Sequence, residues 1–143
     1  VTGYDNEVLI QVGNNESVLF DRIIFARSCR SVAILGKSCV EKGTRAYFGY
    51  TDDFIFFIDD LKEMHPLDDD TAKLFLEPSN YVAIVLLKGH STSHANNRSK
   101  EMYRQNMRKL MTTQTPKKDK ELIPFLRWNM INQVCLGDEN ASI

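Results

Sequence analysis

The sequence predicts an α/β domain, and three observations lead to this class. Two short apolar runs, 22-RIIFA-26 and 45-RAYFGY-50, have the length and composition of buried strands. Between them Val32, Leu35 and Cys39 recur at helical spacing, behind a serine that can cap a first turn. A strand, a helix and a strand within about 30 residues form a βαβ unit, which requires parallel pairing and a right-handed crossover.

The other elements follow from the same periodicity. A strand is predicted at 7-EVLIQVG-13, ahead of a polar turn. The helix of the βαβ unit is expected to stop at Gly43. Acidic residues before an apolar run predict a helix over 68-DDDTAKLFL-76, and Pro78 is expected to end or restart it.

The rest of the chain is predicted to be mostly helical. The apolar run 79–89 suits a buried helix or a buried strand, and we favour the helix. The remaining predicted elements are an amphipathic helix over 91–111, a solvated loop over 112–120, a helix around 121–128 with Pro124 near its start, and a short last strand over 132–138.

Length and composition bound the class of protein. The 143 residues suit one domain, predicted to span 1–143, and leave no room for two. The 18 basic and 19 acidic side chains nearly cancel, so neither nucleic acid nor an anionic membrane is favoured as a partner. No apolar run approaches the roughly 20 residues of a membrane span, and no signal peptide is recognisable. We therefore expect a soluble, cytoplasmic protein with reduced thiols. The three cysteines match no zinc spacing, and no cofactor is expected.

Cys29 stands out because of its place in 22-RIIFARSCRS-31. It follows a predicted parallel strand and precedes a predicted helix, where open α/β sheets collect their functional groups. A helix N-terminus and neighbouring cations, here Arg27 and Arg30, favour the reactive thiolate. Local features alone fit a nucleophile and a quietly buried cysteine equally well, because free cysteine is often buried.

The segment 23-IIFARSCRSVAILGKSCVEKGTRAYFGYTDDF-54 resembles the nucleophile segment of caspase-fold cysteine peptidases, particularly the prokaryotic CHAT-type members. The shared pattern is an apolar strand, A-x-x-C-x-S, a helix ending in glycine, and a strand ending in G-Y. The resemblance covers most of the chain, because it extends to 66–80, to the K-G before the long helix and to 137-GD-138. The signature Q-A-C-[RQG]-G is matched loosely, since the chain has other residues at its first, second and last places, namely Arg27, Ser28 and Ser31.

This resemblance implies the C-terminal, nucleophile-bearing part of a three-layer αβα sandwich with a mostly parallel sheet. It also implies a cysteine endopeptidase that cleaves a protein or peptide substrate through a thioester acyl-enzyme on Cys29. The Cys29 backbone N–H would donate to the oxyanion. The resemblance further implies an attached or regulating sensing module, often in prokaryotic antiviral defence or programmed death.

In this fold, the residues just before the nucleophile and those just after the following strand line the specificity pocket. By resemblance, the substrate-binding residues are Arg27, Ser28, Tyr50, Asp52 and Asp53. Arg27 would favour an acidic substrate side chain, and the two aspartates a basic one. A salt bridge between Arg27 and an aspartate would leave a neutral pocket.

A catalytic histidine is missing from its expected place. The family carries it in an H-G pair upstream of the cysteine, whereas His65, His90 and His94 all lie downstream of Cys29. A papain-like order would allow His90 as the base, and His90 with His94 is a metal pair without a third ligand. Because the chain begins almost directly on a predicted strand, we expect an upstream segment or partner chain to carry the histidine.

Two other functions are open from the sequence. A catalytically inactive caspase-like domain would act as a binding or scaffold module. The string 31-SVAILGKS-38 resembles a phosphate-binding loop, but Ser31 replaces its first glycine and bulky residues fill its interior, so nucleotide binding is the weaker option.

Overall fold

Three strands form a mixed sheet in the computed structural model, which describes residues 1–2 and 4–143. The strands are β1 (Ile23–Phe25), β2 (Ala46–Tyr50) and β3 (Gln133–Gly137), in the order β1-β2-β3. β1 pairs in parallel with β2, and β2 pairs antiparallel with β3. The predicted α/β class, the parallel βαβ unit and the last strand are confirmed. The sheet is small, and only one of its two pairings is parallel.

The connection between β1 and β2 begins with a π-helical turn, Val32–Gly36, and continues as α1 (Lys37–Glu41). Ser31 does not cap it as predicted: its backbone is helical and its hydroxyl donates to the Ala26 carbonyl at 3.5 Å. The turn instead opens with a bond from the Gly36 N–H to the Ser31 carbonyl, 2.9 Å. Gly43 ends the segment with φ of 92°, a conformation that suits glycine.

Longer helices make up the second half of the chain. They are α2 (Asp70–Leu87), α3 (Thr92–Leu110), the short α4 (Lys117–Lys120) and α5 (Ile123–Asn132). The Asp69 carboxylate caps α2 by accepting the Ala72 N–H, and the Ser91 hydroxyl caps α3 in the same way. The helical interpretation of 79–89 and the long helix over 91–111 are confirmed. Among the described residues, none of the helices has the length and apolar character needed to cross a membrane.

Pro78 lies inside α2, so the prediction that it ends or restarts that helix is wrong. A proline leaves the carbonyl four residues earlier without its helical donor. Here that carbonyl belongs to Leu74, and it accepts a hydrogen bond from the Asn106 side chain of α3 at 2.9 Å. The neighbouring carbonyls are also used: Tyr103 donates to Phe75, and Ser99 donates to Pro78 itself. Side chains of α3 therefore allow α2 to continue.

Both faces of the sheet carry helices. The first face meets the segment 32–41 through a cluster of Val32, Leu35, Cys39 and Tyr47. The second face meets α2 and α3 through a cluster of Phe48, Val82, Val85, Leu86 and Ala95. A third cluster joins α2, α3 and α5, and it consists of Phe75, Tyr103, Met107 and Leu126. Burial of these side chains supplies most of the driving force for folding.

The predicted strand over 7–13 is absent. Only an isolated bridge between Thr2 and Val8 occurs among the described residues of this region, and Val8 and Leu9 are exposed. Main-chain bonds join Leu9 and Ile10 to Val1, and side chains hold the rest of the segment: the Asn15 amide donates to the Leu9 carbonyl, and the Glu16 carboxylate accepts the N–H of Gly13. The apolar run therefore predicted a strand where the chain forms a loop held partly by polar side chains.

Candidate functional site

Cys29 lies four residues beyond the end of β1, on the loop at the carboxyl end of the parallel pair. It is exposed, which corrects the alternative interpretation of a buried cysteine. The loop is docked on the segment that follows β2, because the Arg30 N–H donates to the Asp52 carbonyl at 3.2 Å. Among the described residues, the Cys29 N–H donates to no main-chain carbonyl.

Arg30 has a left-handed backbone, with φ of 54°. This conformation costs a residue with a Cβ about 1–2 kcal/mol, so the surroundings must stabilise it. The guanidinium supplies part of that stabilisation: its Nε lies 3.2 Å from the nearest carboxylate oxygen of both Asp52 and Asp53. The residue next to Cys29 is thus fixed by two carboxylates and one main-chain bond.

Cys29 borders a groove of about 510 Å³. Its lining is mainly apolar, and the loop residues Ser28 and Arg30 also contribute. A second depression, of about 350 Å³, continues along β1 and includes Arg27 and Ser28 in its wall. Both depressions share Ser28, Leu35, Val1 and Ile10, so they form one continuous surface beside the thiol. This surface is large enough for several side chains of an extended peptide.

The two arginines next to Cys29 have different partners. Arg27 does not form the expected salt bridge with Asp52 or Asp53, because those carboxylates pair with Arg30. The Arg27 guanidinium instead donates to the Asn80 side-chain oxygen at 2.7 Å, and lies 5.8 Å from the centre of the Phe54 ring. Both of these partners are uncharged. Arg27 therefore keeps its positive charge at the surface beside the depression.

Tyr50 lies in the core rather than in the groove. Its side chain is fully buried, and its hydroxyl oxygen lies within hydrogen-bond distance of the Ser79 hydroxyl, at 2.9 Å, and of the Gln133 side-chain oxygen, at 3.2 Å. Desolvation raises the pKa of Tyr50, so the phenol stays neutral. A buried ring offers no surface to a substrate, and the structure does not support Tyr50 as a substrate-binding residue.

The other two cysteines are shielded to different degrees. Cys39 belongs to α1 and is completely buried, and burial raises the pKa of its thiol. Cys135 is half-buried in β3, and burial raises the pKa of that thiol to about 12. The helical spacing of Val32, Leu35 and Cys39 thus corresponds to one buried cluster against the sheet.

His90 and His94 do not approach Cys29. His90 and His94 stack at the start of α3, with ring centres 4.7 Å apart. This region joins the amino end of β2, because Thr92 donates to the Asp138 carbonyl and the Asp138 N–H donates to Arg45. Cys29 is at the opposite end of β2, about 15 Å away along five strand residues. His90 is therefore too distant to act as the base of the papain-like alternative. His65 is exposed between two short 3-10 helices.

Residues of α5 belong to the neighbourhood of the site and were missed by the sequence interpretation. Trp128, Asn129 and Asn132 all hydrogen-bond the segment 51–55, which carries the aspartates that hold Arg30. The predicted helix ended at 128, so two of these residues lay outside it. The signal in the sequence was two asparagines within 127-RWNMIN-132, because asparagine inside a helix often bonds main-chain groups elsewhere.

In the part of the chain that the structure describes, no three side chains of metal-binding type come together. No protein-family model, no curated protein and no solved structure matches the chain. The chemistry must therefore be argued from the geometry around Cys29.

Proposed function

We propose that the protein is a caspase-like cysteine endopeptidase in which Cys29 forms a thioester with the substrate. The observation that carries this proposal is the exposed thiol at the carboxyl end of β1, on a loop fixed at Arg30 and beside a continuous groove. In the first step the Cys29 sulfur attacks the scissile carbonyl, and the amine leaves with a proton. Water then hydrolyses the thioester and regenerates the thiol.

The Cys29 N–H is the proposed donor to the oxyanion. It is free of main-chain partners among the described residues, so it is available when negative charge develops on the carbonyl oxygen. Helices on both faces of the sheet are compatible with a three-layer αβα sandwich, to which further parallel strands would be added.

The leaving amine needs a proton donor, and His90 and His94 lie at the other end of β2 from Cys29. We therefore assign the histidine to an upstream segment or a partner chain. The resemblance also suggests regulation by a sensing module and a role in prokaryotic defence, and the sequence pattern suggests a cytoplasmic location.

Arg27 is the proposed specificity residue, together with Ser28. The walls of the two depressions contain Arg27 and Arg30 but neither Asp52 nor Asp53, so the charge that a substrate side chain meets there is positive. A substrate with an acidic residue before the cut fits this charge, and a basic one does not.

A catalytically inactive binding module is the second candidate. It is favoured by one observation: both histidines of α3 lie at the far end of β2 from Cys29. In that case the groove would bind a peptide without cleaving it.

A peptidyl acyloxymethyl ketone with an acidic residue next to the warhead separates these functions. In its reaction the Cys29 thiolate displaces the carboxylate leaving group and forms a thioether. We expect labelling of Cys29 by this probe, and cleavage of the matching peptide once imidazole or a histidine-bearing partner is added. Cys29→Ala should abolish both, whereas the matched control Cys135→Ala should retain both. If iodoacetamide labels Cys29 but the peptide probe does not, the endopeptidase proposal is wrong and the binding module is favoured.

A further inference from the structure

We propose that Trp128 of α5 is a positioning residue for Cys29, and that it acts through the segment 51–55 and Arg30. The proposal rests on Cys29 being the nucleophile of the function proposed above. Its experimental test nevertheless includes a measurement that does not require any catalytic activity.

Arg30 is held by its contacts with the segment 51–55. Arg30 adopts a left-handed backbone that its own chain does not favour. Three contacts hold it there: its N–H bonds the Asp52 carbonyl, and its guanidinium pairs with both carboxylates of that segment. Because Arg30 directly follows Cys29, a shift of the aspartates would move the loop that carries the thiol.

Helix α5 holds this segment by hydrogen bonds. Alternate residues of the segment each bond to a residue on one face of the helix. The Thr51 hydroxyl donates to the Asn132 side-chain oxygen at 2.7 Å, and the Thr51 N–H donates to the Asn132 carbonyl at 2.9 Å. The Ile55 N–H donates to the Asn129 side-chain oxygen at 3.0 Å, and the Asn129 amide donates back to the Ile55 carbonyl.

Between these two anchors, the Trp128 indole N–H donates to the Asp53 carbonyl at 3.0 Å. This bond reaches the residue whose carboxylate pairs with Arg30, so it is the shortest route from α5 to the Cys29 loop. Asp53 is half-exposed, and its main chain is held by two bonds: its N–H donates to the Asp52 carboxylate at 2.8 Å, and its carbonyl accepts the indole N–H. The chain of contacts thus runs from Trp128 to Asp53, to Arg30 and to Cys29.

The experiment uses the whole chain with Trp128→Phe, which removes the N–H donor and keeps an aromatic ring. Hydrogen exchange of the Arg30 amide, followed by NMR, should become about fivefold faster, which corresponds to one hydrogen bond of about 1 kcal/mol. Because the folded state loses this bond, global unfolding should become easier by about the same amount, whereas amides elsewhere that exchange through their own local openings should be unaffected. The rate of labelling by the peptidyl ketone should fall by a similar factor. In a protein that already carries Arg30→Ala, adding Trp128→Phe should not change the labelling rate further.

Ile131→Ala is the matched control, because Ile131 is exposed on the same helix. It should change neither the Arg30 exchange nor the labelling rate. Equal effects of the two substitutions, or unchanged Arg30 exchange in Trp128→Phe, would overturn the proposal. If the peptide probe does not react even with the unsubstituted protein, the endopeptidase function fails, and the Arg30 exchange still decides whether the contacts from α5 position the loop.

Discussion

At the scale of single residues, the three cysteines differ in access and in ionisation. Cys29 is exposed, Cys39 is completely buried, and Cys135 is half-buried with a thiol pKa of about 12. Alkylation requires an accessible thiolate, and burial hinders both access and ionisation at Cys39 and Cys135. The different environments therefore predict that an alkylating reagent modifies the three cysteines at very different rates.

We expect brief treatment with iodoacetamide at pH 8 to modify Cys29 faster than Cys135, by at least about tenfold, because Cys135 stays protonated. Cys39 should react only after the protein unfolds. Peptide mapping by mass spectrometry measures the three rates separately, and denatured protein provides the control in which all three react. Labelling of Cys39 as fast as Cys29 in the folded protein would remove the assignment of Cys29 as the nucleophile.

At the scale of the elements, α2 depends on its neighbour α3. The helix continues past Pro78 because the Asn106 side chain donates to the Leu74 carbonyl, which lacks its helical donor. This arrangement replaces a main-chain bond within one helix by a side-chain bond between two helices. The continuity of α2 is therefore a tertiary property.

Asn106→Leu should lower the free energy of unfolding by about 1–3 kcal/mol, because it leaves the Leu74 carbonyl buried without a donor. The same substitution combined with Pro78→Ala should cost less, since an alanine in place of the proline supplies a main-chain N–H that can donate to that carbonyl within α2. Urea unfolding of the two single variants and the double variant measures the coupling. Additive effects of the two substitutions would contradict this account.

The elements also show what could be predicted from the sequence. The βαβ unit and the helix over 91–111 were predicted correctly, because their apolar residues repeat with the local period of a strand or helix. The fate of Pro78 could not be predicted, because its compensating donor, Asn106, lies 28 residues further along the chain. The predicted strand over 7–13 was wrong because a short apolar run ahead of a polar turn occurs in loops as well as in strands.

In the candidate site, the position of Cys29 on a loop after a parallel strand was predicted correctly from local signals. The burial of Tyr50 was not predicted, because it depends on β2 being the central strand, which is covered on both faces. Which arginine pairs with the aspartates also could not be predicted. Arg27 and Arg30 are only three residues apart, and only the direction of the turn between them decides the pairing.

At the scale of the whole molecule, Glu16 connects the N-terminal part of the chain to the βαβ unit. Its carboxylate is buried, with 2% of the side chain exposed, and lies 2.7 Å from the Lys42 ammonium. It also accepts the Ser38 hydroxyl and the N–H of Gly13 and Asn14. The bond with Lys42, together with the main-chain N–H groups, lowers the pKa of Glu16 from 4.5 to about 2.

Because the folded state lowers this pKa, ionised Glu16 stabilises the fold fully above pH 4.5, and the contribution is lost as the pH falls towards 2. Glu16→Gln should therefore unfold more easily than the unsubstituted protein at pH 6, and the difference should shrink between pH 4.5 and 2. Guanidinium unfolding across this range measures it. Glu41→Gln, on the exposed surface of α1, is the matched control and should show little difference at either pH. A difference that does not depend on pH would contradict the role of the charge.

The two pairings of β2 differ in the length of chain that each must close. Ile23 pairs with Ala46 over 23 positions, whereas Ala46 pairs with Gly137 over 91 positions. Loop-closure entropy grows with the logarithm of this length, so the second pairing costs about 1 kcal/mol more to form. β3 directly follows α5, and the two elements therefore reach β2 together. During folding, the loop of Cys29 can form with the βαβ unit. The hydrogen bonds from α5 to the segment 51–55 can form only when β3 pairs with β2, which is the pairing that closes the longer stretch of chain.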